Sequence, residues 1–228
     1  MCLKNNARAD APGNQVLLDV DDTLYPKGTG PFRAVSARIE AFVMARLDLD
    51  RVATKVLRAD YIRRYGSTLA GLMREHAIDP DDFLRDVHDV PVESMLSRDD
   101  RLADTLESIA LPRIAFSNGS RAYIRRVLET LGVHAHFSGI FAIEDMDYIP
   151  KPKPEGYRKL IEFYGHAADS FVMVDDRHEN VLTALSLGMY GIVVDQVKHD
   201  DIPVIPDIYA LPQALAHYSK TNIQCLRG

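Results

Sequence analysis

The chain is short of cysteine, of long apolar runs and of positive charge, and each shortage removes a class of function. Cys2 and Cys225 are its two cysteines in 228 residues. Two thiols at opposite ends make neither a disulfide framework nor a metal knuckle; they suit a reducing cytoplasm. No apolar stretch approaches the roughly 20 residues of a membrane-spanning helix. The first 14 residues lack the apolar core of a secretory signal and read as a mobile polar tail. Lys and Arg number 27 against 33 Asp and Glu, a net charge of −6. Binding a nucleic-acid polymer needs clustered cations, so that is not the expected task.

What is present is an ordinary globular balance, 46% hydrophobic and 26% charged. Five short runs, at 16–18, 114–116, 140–143, 171–174 and 192–194, are apolar at consecutive positions. Such runs suit strands buried on both faces of a parallel sheet. Helical spacing separates them: Ile124, Val127, Leu128 and Leu131 before Gly132, then Tyr157, Leu160, Ile161 and Tyr164 before Gly165. A third helix, around Val181, Ala184 and Leu185, stops at Gly188. The expected class is α/β, a parallel sheet with helices on both faces.

One block breaks the alternation. Residues 31–99 show helical patterns and no strand: Val35, Ile39, Phe42 and Val43; Val52, Val56, Ala59 and Ile62; Leu69, Leu72 and Met73; and a short helix from Pro80. The helix of Leu102 and Leu106 should already belong to the sheet layer. The expected division is therefore a core of 15–30 and 100–228 with an inserted all-helical subdomain over 31–99.

In an open parallel sheet, ligands bind beyond the carboxyl ends of the strands. Asp19-Val20-Asp21-Asp22-Thr23 follows the first run, Ser117-Asn118-Gly119 the second, and Asp175-Asp176 the fourth, while Lys151 lies in a proline-stiffened loop past the third. Any one of these alone is an ordinary cap, turn or solvated lysine. Together, each at a strand end, they put four or five carboxylates on one rim. A pair 4 Å apart repels by roughly 4 kcal/mol at intermediate dielectric, so a cation should neutralise the cluster, and Mg²⁺ suits carboxylates, water and a substrate phosphate. The remaining parts fit phosphoryl transfer: a carboxylate nucleophile, a second carboxyl as acid and base, and Ser, Lys and backbone N–H groups on the phosphoryl oxygens.

The sequence also resembles the haloacid-dehalogenase superfamily. LLDVDDTLYP is similar to its first motif, IAFSNGS to its second, KPKPEGY to its third and FVMVDDRHEN to its fourth. The likeness runs from about residue 15 to 195. It implies a Rossmann-like core with a helical cap of the C1 type. Asp19 would be the nucleophile and Asp21 the general acid and base. Ser117, Asn118 and Lys151 would bind phosphate. Mg²⁺ would be held by Asp19, Asp21 (through its backbone carbonyl) and Asp175, with Thr23 and Asp176 in support. Asp176 would brace either the metal's water or Lys151.

Asp21 argues against dehalogenation, because dehalogenating members lack that second Asp. Asp22-Thr23 stands where phosphomutases carry Gly-Val, which favours hydrolysis. The segment YIRRYGSTLAGLMREHAIDPDDFLRDVHDV resembles the cap of the bacterial pyrimidine 5′-nucleotidase group. The expected substrate is thus a small phosphomonoester, a nucleoside monophosphate first, with a sugar phosphate or phosphoglycolate as the rival, and a mutase or a non-catalytic regulator further behind. Arg64, Tyr65 and Leu69 are the cap residues expected to set specificity, with Tyr61, Thr68, Met73 and His88 beside them. Gly66 and Gly71 should allow close approach. Oligomeric state has no signature.

Overall fold

The computed structural model describes residues 15–199 and 202–216. The expected tail over 1–14 and both cysteines lie outside these residues. Among the described residues, six strands form one parallel sheet: β1 (Gln15–Leu18), β2 (Arg113–Phe116), β3 (Gly139–Phe141), β4 (Phe171–Asp175), β5 (Tyr190–Val194) and β6 (Val204–Ile205). Their spatial order is β3-β2-β1-β4-β5-β6. β4 is buried at all five positions and β1 at three of four, as strands covered on both faces must be.

Between β1 and β2 lie α1 (Phe32–Leu47), α2 (Arg51–Tyr65), α3 (Thr68–His76), α4 (Pro80–Val87), α5 (Val92–Met95) and α6 (Asp100–Glu107). The later crossovers carry α7 (Arg121–Thr130), α8 (Pro154–Tyr164) and α9 (His178–Ser186). Short polar side chains start several of these helices by accepting an otherwise orphaned N–H. Asp50 accepts from Ala53, Ser67 from Ala70, Asp99 from Leu102 and Ser120 from Tyr123. The inserted helices have their own packing, with Phe42 of α1 edge-on to Phe83 of α4 at 5.1 Å. Such a pair adds about 0.5–1.5 kcal/mol beyond its buried area.

The chain leaves β1 for β2 and β3 on one side, then returns to β4 on the other. This makes the β1/β4 boundary the topological switch point, where a crevice opens at the carboxyl ends. Register fixes what faces it. Leu18 is level with Val174, and the Asp19 N–H donates to the Val174 carbonyl at 2.9 Å, so Asp19 and Asp175 leave adjacent strands at the same height.

Three expectations need correction. The third strand ends at Phe141; Ala142 turns away, its N–H donating to Asp145 at 2.8 Å. β6 and α5, two residues and one turn long, were too short to leave a periodic trace. On α2, Val52 and Val56 face solvent at 73% and 67% exposure. The inner face belongs to Thr54, Arg58 and Tyr61, because Arg58 and Tyr61 find polar partners there, Ser36 and His76.

Candidate active site

The groups brought to the switch point are centred on one enclosed ammonium. Lys151 is 1% exposed, and its Nζ donates to Asp19 Oδ1 at 2.8 Å, to Asp175 Oδ2 at 2.7 Å and to the Phe116 carbonyl at 2.7 Å. All three hydrogens are used. Burial alone would lower this ammonium's pKa, but Asp175 and Asp19 more than offset that and hold it above the usual lysine value. The loop carrying Lys151 is clamped by Asn118, whose amide donates to the Lys151 carbonyl at 2.9 Å and accepts its N–H at 2.8 Å. One N–H of the Asn118 amide is thus occupied in positioning Lys151, while the residue also lines the cavity.

Asp19 is braced on both oxygens, Oδ2 accepting from the Thr23 hydroxyl at 3.1 Å. The same Thr23 oxygen accepts the Asp176 N–H at 3.1 Å, tying the turns after β1 and β4 together. Burial pushes the Asp19 carboxyl up to about 8, with Lys151 opposing and Asp175 and Asp176 adding to the rise. Asp175 accepts from Asn180 on both oxygens, at 2.9 and 2.8 Å, and from the Arg177 N–H at 2.8 Å. Asp176 pairs with Lys27 at 2.8 Å, so of its two expected roles the contact with Lys151 is not made. Ser117 is buried beside these groups and its Oγ accepts the Gly119 N–H at 3.1 Å.

Asp21 is set apart from this cluster. Its Oδ1 accepts from the Tyr25 hydroxyl at 2.5 Å and from the Tyr123 hydroxyl at 2.7 Å. Burial raises this carboxyl to about 6, while the two hydroxyls favour its charged form and restrain the rise. Both phenols are themselves pushed upward by burial and by Asp21, which keeps them protonated as donors. A carboxyl balanced near neutrality can give up a proton and take one back.

One oxygen each of Asp19, Asp175 and Asp176 lie within 4.8 Å of one another. This set suits a hard cation: the donors are oxygens, three carboxylates outnumber the one enclosed ammonium, and the buried Oδ1 of Asn180 beside them has no partner. Asp176, expected in support, joins Asp19 and Asp175 in this carboxylate set, while the contribution expected of Asp21 is its backbone carbonyl.

A cavity of about 450 Å³ joins the switch point to the inserted helices. Asp19, Asp21, Ser117, Asn118, Lys151 and Asp176 line its floor. Leu69, Thr68, Ile62 and His88 line it from the insert, with Arg58 among them. Arg64 and Tyr65 do not. Arg64 bonds Asp60 at 3.1 Å and Glu75 at 2.9 Å, and the Tyr65 hydroxyl also bonds Glu75, so acidic neighbours draw both to the outer surface. Tyr61 is turned inward to His76 at 2.6 Å. The close approach at Gly71 is to Tyr61 itself: a Cβ there would sit 2.2 Å from the Tyr61 ring. Gly66 ends α2 at φ +92°, a left-handed turn that glycine adopts readily.

Tyr25, Tyr123, Asn180, Lys27 and Arg58 were not singled out from sequence for these positions. Tyr25 and Asn180 follow their partner carboxylates by four and five residues, a local signal that was available. Tyr123 and Lys27 meet theirs across 102 and 149 positions, and no local pattern marks them.

Residues 14–188 match the haloacid dehalogenase-like hydrolase family. The chain belongs to that family. Among curated proteins it is 26% identical over 194 residues to phosphate metabolism protein 8 of Saccharomyces cerevisiae, covering 77% of this chain and 59% of that protein. The chain thus spans less than two thirds of that relative's length. Among solved structures, a haloacid dehalogenase-like family hydrolase from Xanthomonas campestris aligns at TM-score 0.64 and 19% identity, over 96% of this chain and 97% of the other. CbbY from Rhodobacter sphaeroides, in complex with phosphate, aligns at TM-score 0.61 and 17% identity, over 87% and 96%. These likenesses establish the fold. Among the described residues, no helix is long and apolar enough to cross a membrane.

Proposed function

We propose that this hydrolase is a phosphomonoesterase that works through a phospho-Asp19 intermediate and acts on nucleoside 5′-monophosphates in the cytoplasm. The observation that carries the reading is the pairing of two differently tuned carboxyls. Asp19 is held on Lys151 and Thr23, while Asp21, two residues on, is held on two phenols. In the first step an Asp19 oxygen attacks phosphorus, the ester P–O bond breaks, and Asp21 gives its proton to the leaving oxygen. In the second, Asp21 takes a proton from water as that water attacks the phospho-Asp19 phosphorus. The P–O bond to Asp19 then breaks and phosphate is released. Ser117 and Lys151 would hold phosphoryl oxygens, Lys151 by exchanging one of its three present contacts for a phosphoryl oxygen.

Asp19, Asp175 and Asp176, with the Asp21 carbonyl, would hold Mg²⁺. When bound, that ion supplies positive charge against the carboxylates and the phosphoryl oxygens. Residues 31–99 act as a C1-type cap over the core of 15–30 and 100–228. The cap's similarity to pyrimidine nucleotidases and the apolar upper cavity support a nucleotide over a sugar phosphate. The yeast relative's name, phosphate metabolism protein 8, is in keeping with phosphate chemistry.

The test is phosphate release with Mg²⁺ from 5′-nucleotides, sugar phosphates, phosphoglycolate and p-nitrophenyl phosphate, run beside Asp19→Asn. Turnover of UMP or CMP that vanishes in the variant is expected. Activity retained by Asp19→Asn would refute the phospho-aspartate route.

A further inference from the structure

We infer that Arg58 determines specificity, its guanidinium donating to a carbonyl-type oxygen on a neutral, flat ring that the leaving group carries into the upper cavity. This rests on the nucleotide-phosphatase reading and deepens it, since the bases of nucleotides are such groups. The upper walls are mostly apolar, with Phe32, Val35, Ile39, Leu69, Phe83 and Leu84, and Ser67, Thr68 and His88 also line the cavity from the insert. Among the described residues of the insert that line the cavity, Arg58 supplies the one guanidinium or ammonium.

Its hydrogen bonding is incomplete. A guanidinium has five N–H donors, and Arg58 commits two: Nη1 to the Ser36 carbonyl at 3.2 Å and Nη2 to the Ser36 hydroxyl at 3.3 Å. Nε is sealed from water and has no partner. With Nε out of a ligand's reach, one N–H on each of Nη1 and Nη2 remains, on a side chain that is only 16% exposed and borders the cavity. A buried, under-satisfied donor is costly unless a ligand completes it.

Charge decides what kind of acceptor completes it. Glu40 lies 3.9 Å from Nη1 and offsets part of the positive charge. A second anion would be stripped of water against six apolar side chains, with only that part-neutralised cation to meet it. A polyhydroxylated sugar would bury several hydroxyls against walls where Ser67, Thr68 and His88 are the insert's few polar groups besides Arg58. A flat heteroaromatic ring with a carbonyl edge meets both conditions, apolar on its faces and an acceptor at its rim.

The test compares UMP, phenyl phosphate and ribose 5-phosphate on wild type, Arg58→Met and Arg58→Lys, with calorimetric binding of uridine as a readout free of turnover. Wild type should prefer UMP to ribose 5-phosphate. Arg58→Met should lower kcat/KM for UMP about tenfold or more, the loss of one bond to a charged donor, and leave phenyl phosphate unchanged because it offers no carbonyl. Arg58→Lys, which keeps the charge but not the fork, should fall between and guards against a folding defect in Arg58→Met. Uridine binding should weaken in the same order. Equal losses on UMP and phenyl phosphate would make Arg58 a brace of the insert and overturn the inference. So would a preference for ribose 5-phosphate, or uridine binding indifferent to Arg58. If no ester is hydrolysed while uridine binding still depends on Arg58, the phosphatase reading falls and the Arg58 inference stands.

Discussion

Replacing His88 with phenylalanine should flatten the acid limb of the protein's stability curve. His88 ends α4 and stacks on Tyr123 of α7, ring centroids 4.5 Å apart and planes at 12°, joining the insert to the sheet layer. Burial lowers its imidazole from 6.5 to about 4, with the Leu84 carbonyl opposing. Above pH 6.5 the ring is neutral whether the chain is folded or not, and stability does not depend on it. As pH falls from 6.5 toward 4, the unfolded chain binds a proton that the folded chain refuses, so stability is lost through that window. A difference of about 2.5 units between 6.5 and 4, at 1.36 kcal/mol each, amounts to about 3 kcal/mol in full and about 2 kcal/mol at pH 5. Phenylalanine keeps a flat ring against Tyr123 and does not titrate. Urea unfolding of both proteins at pH 7.5 and pH 5 isolates the effect, because the other titrating groups are common to both. The variant should gain about 2 kcal/mol on wild type between the two pH values. Parallel losses in the two proteins would show that His88 takes up its proton without leaving the fold, and would refute the reasoning.

Further perturbations address the site and the packing around it. Asp21→Asn should cost most with a poor leaving group such as a ribose alkoxide and least with nitrophenolate; equal loss of kcat on both would count against its acid role. Chelation should abolish phosphate release and added Mg²⁺ restore it, and indifference to chelator would remove the cation from the reading. Lys151→Met leaves two buried carboxylates facing one another and should cost about 3–5 kcal/mol in urea unfolding, with added Mg²⁺ recovering part; a variant as stable as wild type would contradict the burial of that ammonium. Gly71→Ala forces a methyl against the Tyr61 ring and should cost about 1–3 kcal/mol, read as a lowered melting temperature; an unchanged melting temperature would mean the ring moves aside freely.

The sheet was legible because buried parallel strands write themselves as unbroken apolar runs, and the runs at 16–18 and 171–174 lie inside β1 and β4. Asp19 and Asp175 followed from position alone, as the first acidic residues at the ends of the strands flanking the switch point. The second layer of the site was not legible in the same way. Tyr123 reads as a core residue of α7, and nothing along the helix says that its hydroxyl reaches Asp21. Arg64 and Tyr65 failed for the opposite reason: the residue types suit a nucleobase, but Asp60 and Glu75 outbid the cavity for them. Val52 and Val56 show that helical spacing names a face without saying which way it points. Arg58, with a charged head, holds the inward position because Ser36 and Glu40 wait for it there.

The two ends of the cavity demand opposite solvents, and the fold supplies both by drawing them from different layers. At the sheet end, strand register alone sets Asp19 level with Asp175, so like charges are forced together wherever the chain goes next. Lys151 spends its three hydrogens on Asp19, Asp175 and the Phe116 carbonyl, so a further anion meets that ammonium only by displacing one of these contacts. A phosphoryl group entering there brings more negative charge to a place already in excess, which is the physical reason for expecting a divalent ion with it. At the insert end the walls are largely carbon, and Arg58 is held by partners on α1, Ser36 and Glu40, that belong to the insert itself. On the proposed reading, leaving-group preference can change through α1 and α2 without disturbing the strand ends, whereas any shift of β1 against β4 would part Asp19 from Asp175 for every substrate at once.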